Sequence, residues 1–333
     1  MKILYTGPCR PGSLTEARRK ALIELGHNVV CLDSAPYHDI NNYLLRKIQM
    51  HLLIGNGARL YNQDLIHLAK DTKPDLIYID VGLHLLPHTV SELKSTEATL
   101  VHYTSEYFGF RKYLYRHFFK SVSLYDVHII TNPLVIPTLE RKGAKKIVKT
   151  HFGYDPEIHR PAELSEQEKN EYNSDAVFVG HWEPTTEKLI SALRSSGTDV
   201  KVWGPGWKKA KTLKDRRQIQ PLYGGEYVKA LSASKICLGI LSCWNHNKTM
   251  SRTFEIPATG KFLLANRTDE HLSLFREGEE ADFFSSEEEL IEKARYYLNN
   301  KEKCEAIASA GYERCMSSGY SHKDRMNTVL NSI

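Results

Sequence analysis

Short apolar runs alternate with amphipathic stretches along almost the whole chain, and the runs have the length of strands. In the first half this pattern predicts a helix over 13–25 and strands over 2–6, 28–32, 75–80, 99–103 and 127–131. Ser13 is a suitable N-cap for that helix, with Glu16 three residues later. Strands that alternate with helices are typical of a parallel, doubly wound sheet.

The alternation is interrupted once and then begins again. Residues 151–161 are rich in turn formers and 162–174 are polar, which predicts a linker over 159–174. Further strands are predicted over 176–180, 200–204, 236–240 and 262–265, and helices over 186–194, 227–233, 252–259, 286–299 and 301–316. We therefore predict an α/β fold with two Rossmann-like domains, 1–158 and 175–316, whose parallel sheets face an interdomain cleft. The tail over 317–333 is predicted to be helical and to pack back on the first domain.

Composition narrows the class of protein. With 41% hydrophobic and 26% charged residues the chain is globular, and its six cysteines form no CxxC or zinc-type spacing. The sequence contains no Asp-x-Asp pair of the kind that holds a metal on a diphosphate, so we predict neither a metal nor another cofactor. No apolar window reaches the roughly 18 residues of a membrane span, and the first apolar run is too short for a signal peptide. These features predict a soluble, cytoplasmic protein.

Charge is unevenly spread, with 21 basic and 15 acidic residues up to Arg160 and 24 and 25 beyond it. A basic first half suits an anionic partner, or it is ordinary solubilising charge. Within it, residues 108–120 interleave aromatic side chains with Arg111, Lys112, Arg116 and Lys120. This segment could contact a membrane surface or another anion. Alternatively, it buries its aromatic face, as could the amphipathic, weakly basic helix predicted over 42–53.

The most informative stretch for chemistry is 245–266. A strand ends near Leu241, a polar loop follows, and a short helix begins near Ser251. A helix N-terminus after a strand suits a diphosphate, and Arg252 at that start could add a charge-assisted contact. Glu255, one turn later, could accept hydrogen bonds from sugar hydroxyls. An ordinary exposed helix with a satisfied Arg/Glu pair is the alternative.

Two places in the first half could carry chemistry. The glycine-rich turn over 7–13 could bring Gly12 close to a phosphate or an acceptor, but it lacks the GxGxxG pattern of a dinucleotide site. His102 ends an apolar strand where a cleft would open, and a histidine there can orient a hydroxyl or exchange a proton near neutral pH. A satisfied structural histidine is the alternative.

The segments 252–265, 270–284 and 288–297 together resemble the C-terminal half of CgeB-type (spore maturation) glycosyltransferases. That group is similar to the retaining family-4 glycosyltransferases. The resemblance implies the GT-B architecture of paired Rossmann-like domains, with a nucleotide-sugar donor and no metal. Over the first 150 residues the resemblance is mainly topological.

The resemblance also implies roles for residues around the short helix. Glu255 matches the second glutamate of the family-4 Glu-x7-Glu signature, which holds the donor ribose. The first glutamate falls at Asn247, which cannot offset a developing positive charge, so Asn245 and Asn247 are both candidates for the sugar contact. Backbone amides of Thr253 and Phe254 would lie at the diphosphate.

Further roles follow from the same resemblance. The family places Gly-Arg and then a lysine after the first strand of its second domain; here Gly180 is followed by His181, and Lys188 is the candidate lysine, with Arg252 compensating for the lost arginine. The histidine that the family holds near the reactive sugar carbon matches His102. The nucleobase would lie near Gly204 and Tyr223, where Trp203 and Trp207 are further aromatic candidates. The predicted catalytic set is then His102, Asn247, Arg252 and Glu255.

Residues and resemblance together predict a glycosyltransferase that moves a hexose or pentose from a nucleotide-sugar, with a UDP-sugar favoured. Transfer is expected to retain the sugar's configuration and to need no metal. The acceptor (polysaccharide, glycolipid, protein or modified DNA) and the oligomeric state stay open. The alternatives are a nucleotide-sugar epimerase or hydrolase, a non-catalytic nucleotide-sugar-binding protein, and a phage-type enzyme that glycosylates DNA bases.

Overall fold

The computed structural model describes residues 1–38, 52–109, 115–212 and 220–333. The chain divides into a first unit, residues 1–151 with 322–333, and a second unit, residues 152–321. Across the described ranges, no helix is both long and apolar enough to cross a membrane. The helix predicted over 42–53 falls almost entirely outside the described residues.

The first unit is built around a parallel sheet. Its strands are β1 (Lys2–Gly7), β2 (Asn28–Asp33), β3 (Leu76–Asp80), β4 (Thr99–Thr104), β5 (Val127–Ile130) and β6 (Ile147–Lys149). Its helices before residue 151 include α1 (Leu14–Glu24), α2 (Asn56–Thr72), α3 (Pro87–Lys94) and α4 (Ile136–Arg141). The strand order is β2-β1-β3-β4-β5-β6, and every neighbouring pair is parallel.

The central strands of this sheet are buried on both faces, since helices cover both sides of a parallel sheet. Leu4 and Ile77 belong to the core on one face, and Tyr5 and Tyr78 to the core on the other. The two tyrosine rings stack with their centres 5.2 Å apart. Burial on both faces explains why the sequence shows continuous apolar runs here rather than a strict alternation.

The second unit repeats the plan. Its strands are β7 (Ser174–Val179), β8 (Val200–Trp203), β9 (Ser234–Gly239), β10 (Leu263–Asn266) and β11 (Asp282–Phe284), in the order β11-β10-β9-β7-β8 and all parallel. Its helices include α5 (Glu166–Tyr172), α6 (Pro184–Ser195), α7 (Gly224–Ser232), α8 (Arg252–Ala258), α9 (Asp269–Leu274), α10 (Glu287–Asn299) and α11 (Lys301–Ser317). Helix α5 occupies part of the segment predicted as a linker.

The chain ends in α12 (His322–Leu330), which belongs to the first unit. Met326 and Val329 are buried in the same core cluster as Ala21 of α1, and the hydroxyl of Tyr78 lies 3.7 Å from the sulfur of Met326. The C-terminal residues thus complete the hydrophobic core of the unit in which the chain begins.

Candidate functional site

Arg252, the first residue of α8, lies across the carboxyl ends of two neighbouring strands. Its Nη1 donates to the carbonyl oxygen of Val179 at 3.0 Å, and its Nη2 to that of Ile240 at 3.2 Å. The ring centre of Phe178 is 5.0 Å from the guanidinium carbon. The Nε is buried and has no hydrogen-bond partner among the described residues. The hydrogen-bond partners of the guanidinium among the described residues are carbonyl oxygens rather than a carboxylate, so the arginine presents its charge at this edge of the sheet.

Carboxylates lie near this guanidinium. Burial lowers the pKa of Arg252, while Tyr227, Glu255 and Glu183 act in the opposite direction, and arginine remains charged at any physiological pH. Glu183 is buried, and its Oε2 accepts a hydrogen bond from the amide of Cys243 at 2.8 Å. Sequence reasoning missed Glu183, although it lies two residues after His181, at the start of α6.

Glu255 is nearly buried and its carboxylate is fixed by a tyrosine. The hydroxyl of Tyr227 donates to Oε2 at 3.0 Å, and the Nε2 of His159 lies 3.9 Å from Oε1. The amide of Asp155 donates to the Nδ1 of His159, so the proton of a neutral His159 is on Nε2, the nitrogen that faces Glu255. Burial, and then the charge of Glu255, raise the pKa of Tyr227 well above its ordinary value. Tyr227 and His159 were also missed from the sequence.

Gly180 and Gly204 meet at the ends of β7 and β8. The amide of Gly180 donates to the carbonyl oxygen of Trp203 at 2.8 Å, and the indole of Trp207 donates to the carbonyl oxygen of Gly180 at 2.8 Å. Gly204 has a φ of +137°, and a Cβ there would clash with the Gly180 carbonyl. A Cβ on Gly180 would lie 3.0 Å from the Nη1 of Arg252. Both glycines are therefore needed for close packing around Arg252, and their predicted contact with a ligand stays a prediction.

The two cations predicted on the turn after β7 differ in position. His181 is exposed, and partial desolvation followed by the charge of Arg252 lowers its pKa, which places it close to Arg252; its contact with a diphosphate stays a prediction. Lys188 has a side chain that is 76% exposed, and its ammonium pairs with Glu287 of α10 at 3.1 Å. The prediction that Lys188 joins the phosphate-binding group is not supported, because on α6 it faces the neighbouring helix rather than Arg252.

The amides of Thr253 and Phe254 are already used within the chain. The Thr253 amide donates to the carbonyl oxygen of Met250 at 3.1 Å and the Phe254 amide to that of Ser251 at 2.9 Å. Both residues are fully buried, and the Thr253 hydroxyl contacts the Nε2 of His271 at 2.8 Å. The prediction that these two amides bind the diphosphate is wrong, because the chain enters α8 through a helical turn that consumes them.

The polar loop before α8 presents the two predicted asparagines. The Oδ1 of Asn247 is buried without a hydrogen-bond partner among the described residues, and the amide of Asn245 donates to the hydroxyl of Ser242 at 3.3 Å. A buried acceptor without a partner is rare in native structures, so Asn247 suits a ligand that carries a donor. Its role at the sugar stays a prediction.

The three aromatic residues that were predicted to stack on a nucleobase differ in burial. Trp203 and Trp207 are 7% and 1% exposed, and Trp207 packs edge-on against Phe178, so both belong to the core. Tyr223, just before α7, is 65% exposed. Among these three residues, Tyr223 has the ring that a base could stack on.

His102 is a core residue. It is 1% exposed; its Nδ1 lies 3.1 Å from the Nδ1 of His128 and its Nε2 lies 3.3 Å from the carbonyl oxygen of Val81. Burial, and then His128, lower its pKa well below the ordinary value. The prediction of a catalytic role for His102 is wrong, because β4 continues to Thr104 and holds the ring against Phe118 inside the unit.

A buried ion pair lies at the carboxyl edge of the first sheet. The Nε and Nη2 of Arg18 bind the two oxygens of Asp80 at 2.7 and 3.0 Å, and the Tyr5 hydroxyl donates to Oδ2 at 2.5 Å. Arg18 is 4% and Asp80 1% exposed, so the two charges cancel where neither meets water. The nearby turn contains Gly12, which is exposed with a φ of +76°, and its predicted contact with a ligand stays a prediction.

The basic aromatic segment is described only in part, since 110–114 with Arg111 and Lys112 lie outside the described residues. Phe108 and Phe118 are buried and their ring centres are 5.5 Å apart, whereas Arg116 and Lys120 are exposed. The described part therefore buries its aromatic face, which is the alternative to an anion-binding surface. Within the described ranges no three His, Cys, Asp or Glu side chains are grouped to hold a metal.

Comparison with known proteins gives a match to one family model and to several solved structures. Residues 184–331 match a family model described as glycosyl transferase-like, which covers most of the second unit and α12. A search of the curated proteins finds no match. The similarity to solved structures, in contrast, extends over the entire chain.

Three such structures illustrate it. Alr3699/HepE from Anabaena, in complex with UDP-glucose, is 13% identical over 100% of both chains with a TM-score of 0.67. Sucrose-phosphate synthase from Thermosynechococcus elongatus is 12% identical, with a TM-score of 0.71 over 99% of this chain and 98% of that one. A putative UDP-N-acetylglucosamine 2-epimerase from Listeria monocytogenes is 14% identical, with a TM-score of 0.57 over 99% and 95%. At this identity the likeness shows the fold, and it confirms the predicted GT-B architecture of two parallel-sheet, Rossmann-like domains.

Proposed function

We propose that this protein is a glycosyltransferase that takes its sugar from a nucleotide-sugar, with a UDP-sugar favoured, and binds that donor on the second unit. The observation that carries the proposal is the charged guanidinium of Arg252 at the carboxyl ends of β7 and β9, where its hydrogen-bond partners among the described residues are carbonyl oxygens. Ligands of parallel α/β sheets bind at this edge. The family match over 184–331 covers the same residues.

The groups around Arg252 fit the parts of such a donor. A leaving nucleoside diphosphate gains negative charge in the transition state, and a fixed cation aimed at it lowers the barrier. Arg252 would supply that cation, with His181 beside it as a neutral donor. Glu255, oriented by Tyr227, would accept hydrogen bonds from the ribose hydroxyls. The exposed ring of Tyr223 would stack on the base, and Asn247 would contact the sugar.

The finer proposals concern the course of the reaction. We expect retention of configuration by a same-face route, in which the departing phosphate oxygen takes the proton of the acceptor hydroxyl. We expect transfer without a metal, in keeping with a CgeB-type, family-4-like enzyme acting in the cytoplasm. Anomer-resolved NMR of the product tests the first expectation. Turnover in excess EDTA tests the second.

Glu255 provides the sharpest test of the donor site. Calorimetry with UDP and with UDP-glucose is expected to show affinity for the unmodified chain and a roughly 10- to 100-fold loss in Glu255→Gln, since hydrogen bonds to a charged group contribute about 1.5–3 kcal/mol. Glu279→Gln is the matched control, because the side chain of Glu279 is 63% exposed on the surface. Equal affinities in all three proteins would remove Glu255 from the site.

An epimerase is the alternative that the comparisons keep open, because one of the similar structures is a putative UDP-sugar epimerase. Incubation of UDP-N-acetylglucosamine and UDP-glucose without an acceptor distinguishes the two reactions. A transferase leaves most of the donor intact until an acceptor is added. Rapid conversion to an epimer, or release of UDP at the same rate without an acceptor, would instead favour an epimerase or a hydrolase.

A further inference from the structure

The first unit contains a cavity of about 360 Å³ at the carboxyl edge of its sheet. Its walls come from the segments that follow β1, β2 and β3, and they include Pro8, Ser34, Tyr61 and Leu83. The volume lies in the range of small-molecule sites. Nothing in the donor-binding proposal uses this cavity, because that proposal rests on the second unit.

Two histidines line the cavity with nitrogen atoms that have no partner. His38 and His84 stack with their ring centres 3.6 Å apart and an angle of 25° between the planes. Both nitrogens of His38 and the Nδ1 of His84 are buried and make no hydrogen bond to the described residues. Buried polar atoms in native proteins are nearly always paired. Three such atoms beside one cavity therefore point to a ligand that offers hydrogen-bonding groups.

The charge of the cavity wall selects the class of ligand. Burial lowers the pKa of His38 to about 4 and that of His84, with a smaller contribution from His38, to about 3. At neutral pH both rings are uncharged, and each has one N–H donor and one lone-pair acceptor. The wall's carboxylate, Asp80, is already bound by Arg18 and Tyr5, and Arg10, the other charged residue of the lining, is exposed to solvent. A group that both donates and accepts, which is what a hydroxyl does, matches the two buried imidazoles.

The arrangement is a poor match for a metal ion. Imidazole ligands bind a metal in the planes of their rings, and two rings stacked face to face direct their lone pairs along nearly parallel planes rather than toward one point. No carboxylate of the wall is available either, since Asp80 lies in its ion pair. Tyr61, Ala35 and Leu83 also line the cavity, and their apolar surface suits the C–H face of a sugar ring.

We propose that the His38–His84 cavity binds a neutral, hydroxyl-rich ring of monosaccharide size, with the two imidazoles exchanging hydrogen bonds with its hydroxyl groups. We assign this ring as the acceptor sugar, and that assignment rests on the proposed function. The binding site itself does not depend on that function, because its geometry belongs to the first unit alone.

The test is direct binding to the full chain, with methyl α-D-glucopyranoside, methyl α-D-mannopyranoside and methyl β-D-galactopyranoside as probes. Imidazole ¹⁵N–¹H NMR spectra are expected to show shifts of the His38 and His84 signals with at least one probe. Affinity is expected to fall at least 10-fold in His84→Phe and less in His84→Gln, which keeps a hydrogen-bonding group. His88→Phe is the matched control, because His88 is exposed four residues away and should leave the affinity unchanged.

Three outcomes would overturn the proposal: no shift of either imidazole with any glycoside, equal affinity in folded His84→Phe, or tighter binding of Zn²⁺ or inorganic phosphate than of the glycosides at this site. Thermal unfolding of each variant establishes that it is folded. UDP binding, measured on the same samples, separates the two proposals. UDP affinity without glycoside binding would refute the cavity assignment alone, and glycoside binding without UDP affinity would refute the donor site alone.

Discussion

The carboxyl edges of the two sheets occupy the same place in the same fold, yet they differ in electrostatics. In the first unit Arg18 meets the carboxylate of Asp80 through two hydrogen bonds, and both are buried. In the second unit Arg252 donates to the carbonyl oxygens of Val179 and Ile240, and no carboxylate of the described residues forms an ion pair with it. Arg18 is neutralised by a carboxylate in direct contact, whereas Glu255 and Glu183 act on the charge of Arg252 from a longer distance. Ligands can bind at the carboxyl edge of a parallel sheet. Whether an arginine at that edge pairs with a carboxylate or with carbonyl oxygens then affects which class of ligand binds there.

The same difference extends to the residues around each arginine. Beside Asp80 the cavity is lined by the neutral imidazoles of His38 and His84, by Ser34 and by the exposed Arg10. Near Arg252 the polar groups include the carboxylates of Glu255 and Glu183. Buried neutral imidazoles suit the hydroxyl groups of a sugar, whereas a cation beside a carboxylate suits a nucleoside diphosphate with its ribose. The comparison predicts that Arg18→Met mainly lowers the stability of the fold, whereas Arg252→Met mainly lowers the affinity for UDP.

The largest expected effect is on folding, in Arg18→Met. Removal of one partner leaves the Asp80 carboxylate buried and unpaired, which costs about 3–5 kcal/mol, and the first unit should unfold at a markedly lower urea concentration. Arg19→Met is the control, since Arg19 pairs with Glu16 one helical turn away, where both side chains are about a quarter exposed, and a pair that water reaches contributes about 0–1 kcal/mol. UDP affinity of the folded variant should not change. Equal urea midpoints for the two variants would show that the pair is not a stabilising element.

The second prediction concerns Arg252→Met, in which binding rather than folding should be the main loss. The guanidinium is expected to contribute about 1.5–3 kcal/mol to UDP binding, or roughly 10- to 100-fold in Kd, as charged hydrogen bonds do. Calorimetry with UDP measures it. Arg295→Met is the matched control, because Arg295 is exposed on α10. A loss of stability as large as that of Arg18→Met, with unchanged UDP affinity, would reverse the comparison.

The fold could be predicted because its signals are local. Apolar runs of strand length and helical segments between them predict each central strand to within two residues, as β4 and β9 show. Ser13 caps α1 as predicted, since its side chain accepts from the amide of Glu16. Helix α5 was missed because Glu166–Tyr172 is short and polar, and in sequence such a segment resembles a linker.

Of the candidate site, the sequence indicates only groups that lie close together along the chain. Arg252 and Glu255 are one turn apart, so the sequence pattern contains both. The partners Arg18 and Asp80 are 62 residues apart, and His38 and His84 come together only in the folded sheet. Helical and strand periodicities relate residues that are close along the chain, so they do not indicate such pairs. The error at Thr253 has a different source, because the hydrogen bond of its amide depends on how the chain enters the helix.

Acidification should lower the stability of the first unit more than that of the second. In the first unit burial lowers the pKa of His38, His84 and His128 to about 4, 3 and 4, whereas an unfolded histidine has a pKa near 6.5. Between these values the unfolded chain binds more protons than the folded one, so stability falls as pH drops below about 6.5. In the second unit, among the described residues, His271 is the histidine whose pKa burial lowers to about 4.

Amide hydrogen exchange at pH 7 and pH 5, corrected for the intrinsic rates, measures this difference. The core strands of the first unit should lose more protection than those of the second. The comparison stays at or above pH 5 so that carboxylates such as Glu289, whose pKa Arg267 lowers to about 2, do not titrate within it. Equal losses in both units would show that the buried histidines of the first unit do not govern its acid stability.

The smallest expected effect is that of His102→Gln on turnover, and it tests whether the first unit has a titrating catalytic group. His102 is buried, and both ring nitrogens face protein atoms, so it is not placed to touch a sugar. We expect stability to fall by about 1–3 kcal/mol, because His128 loses its partner, while kcat of the folded enzyme changes less than twofold. His128→Gln should behave in the same way. A catalytic histidine would instead lower kcat by roughly 100-fold or more and alter the pH profile, and that result would restore His102 to the active site.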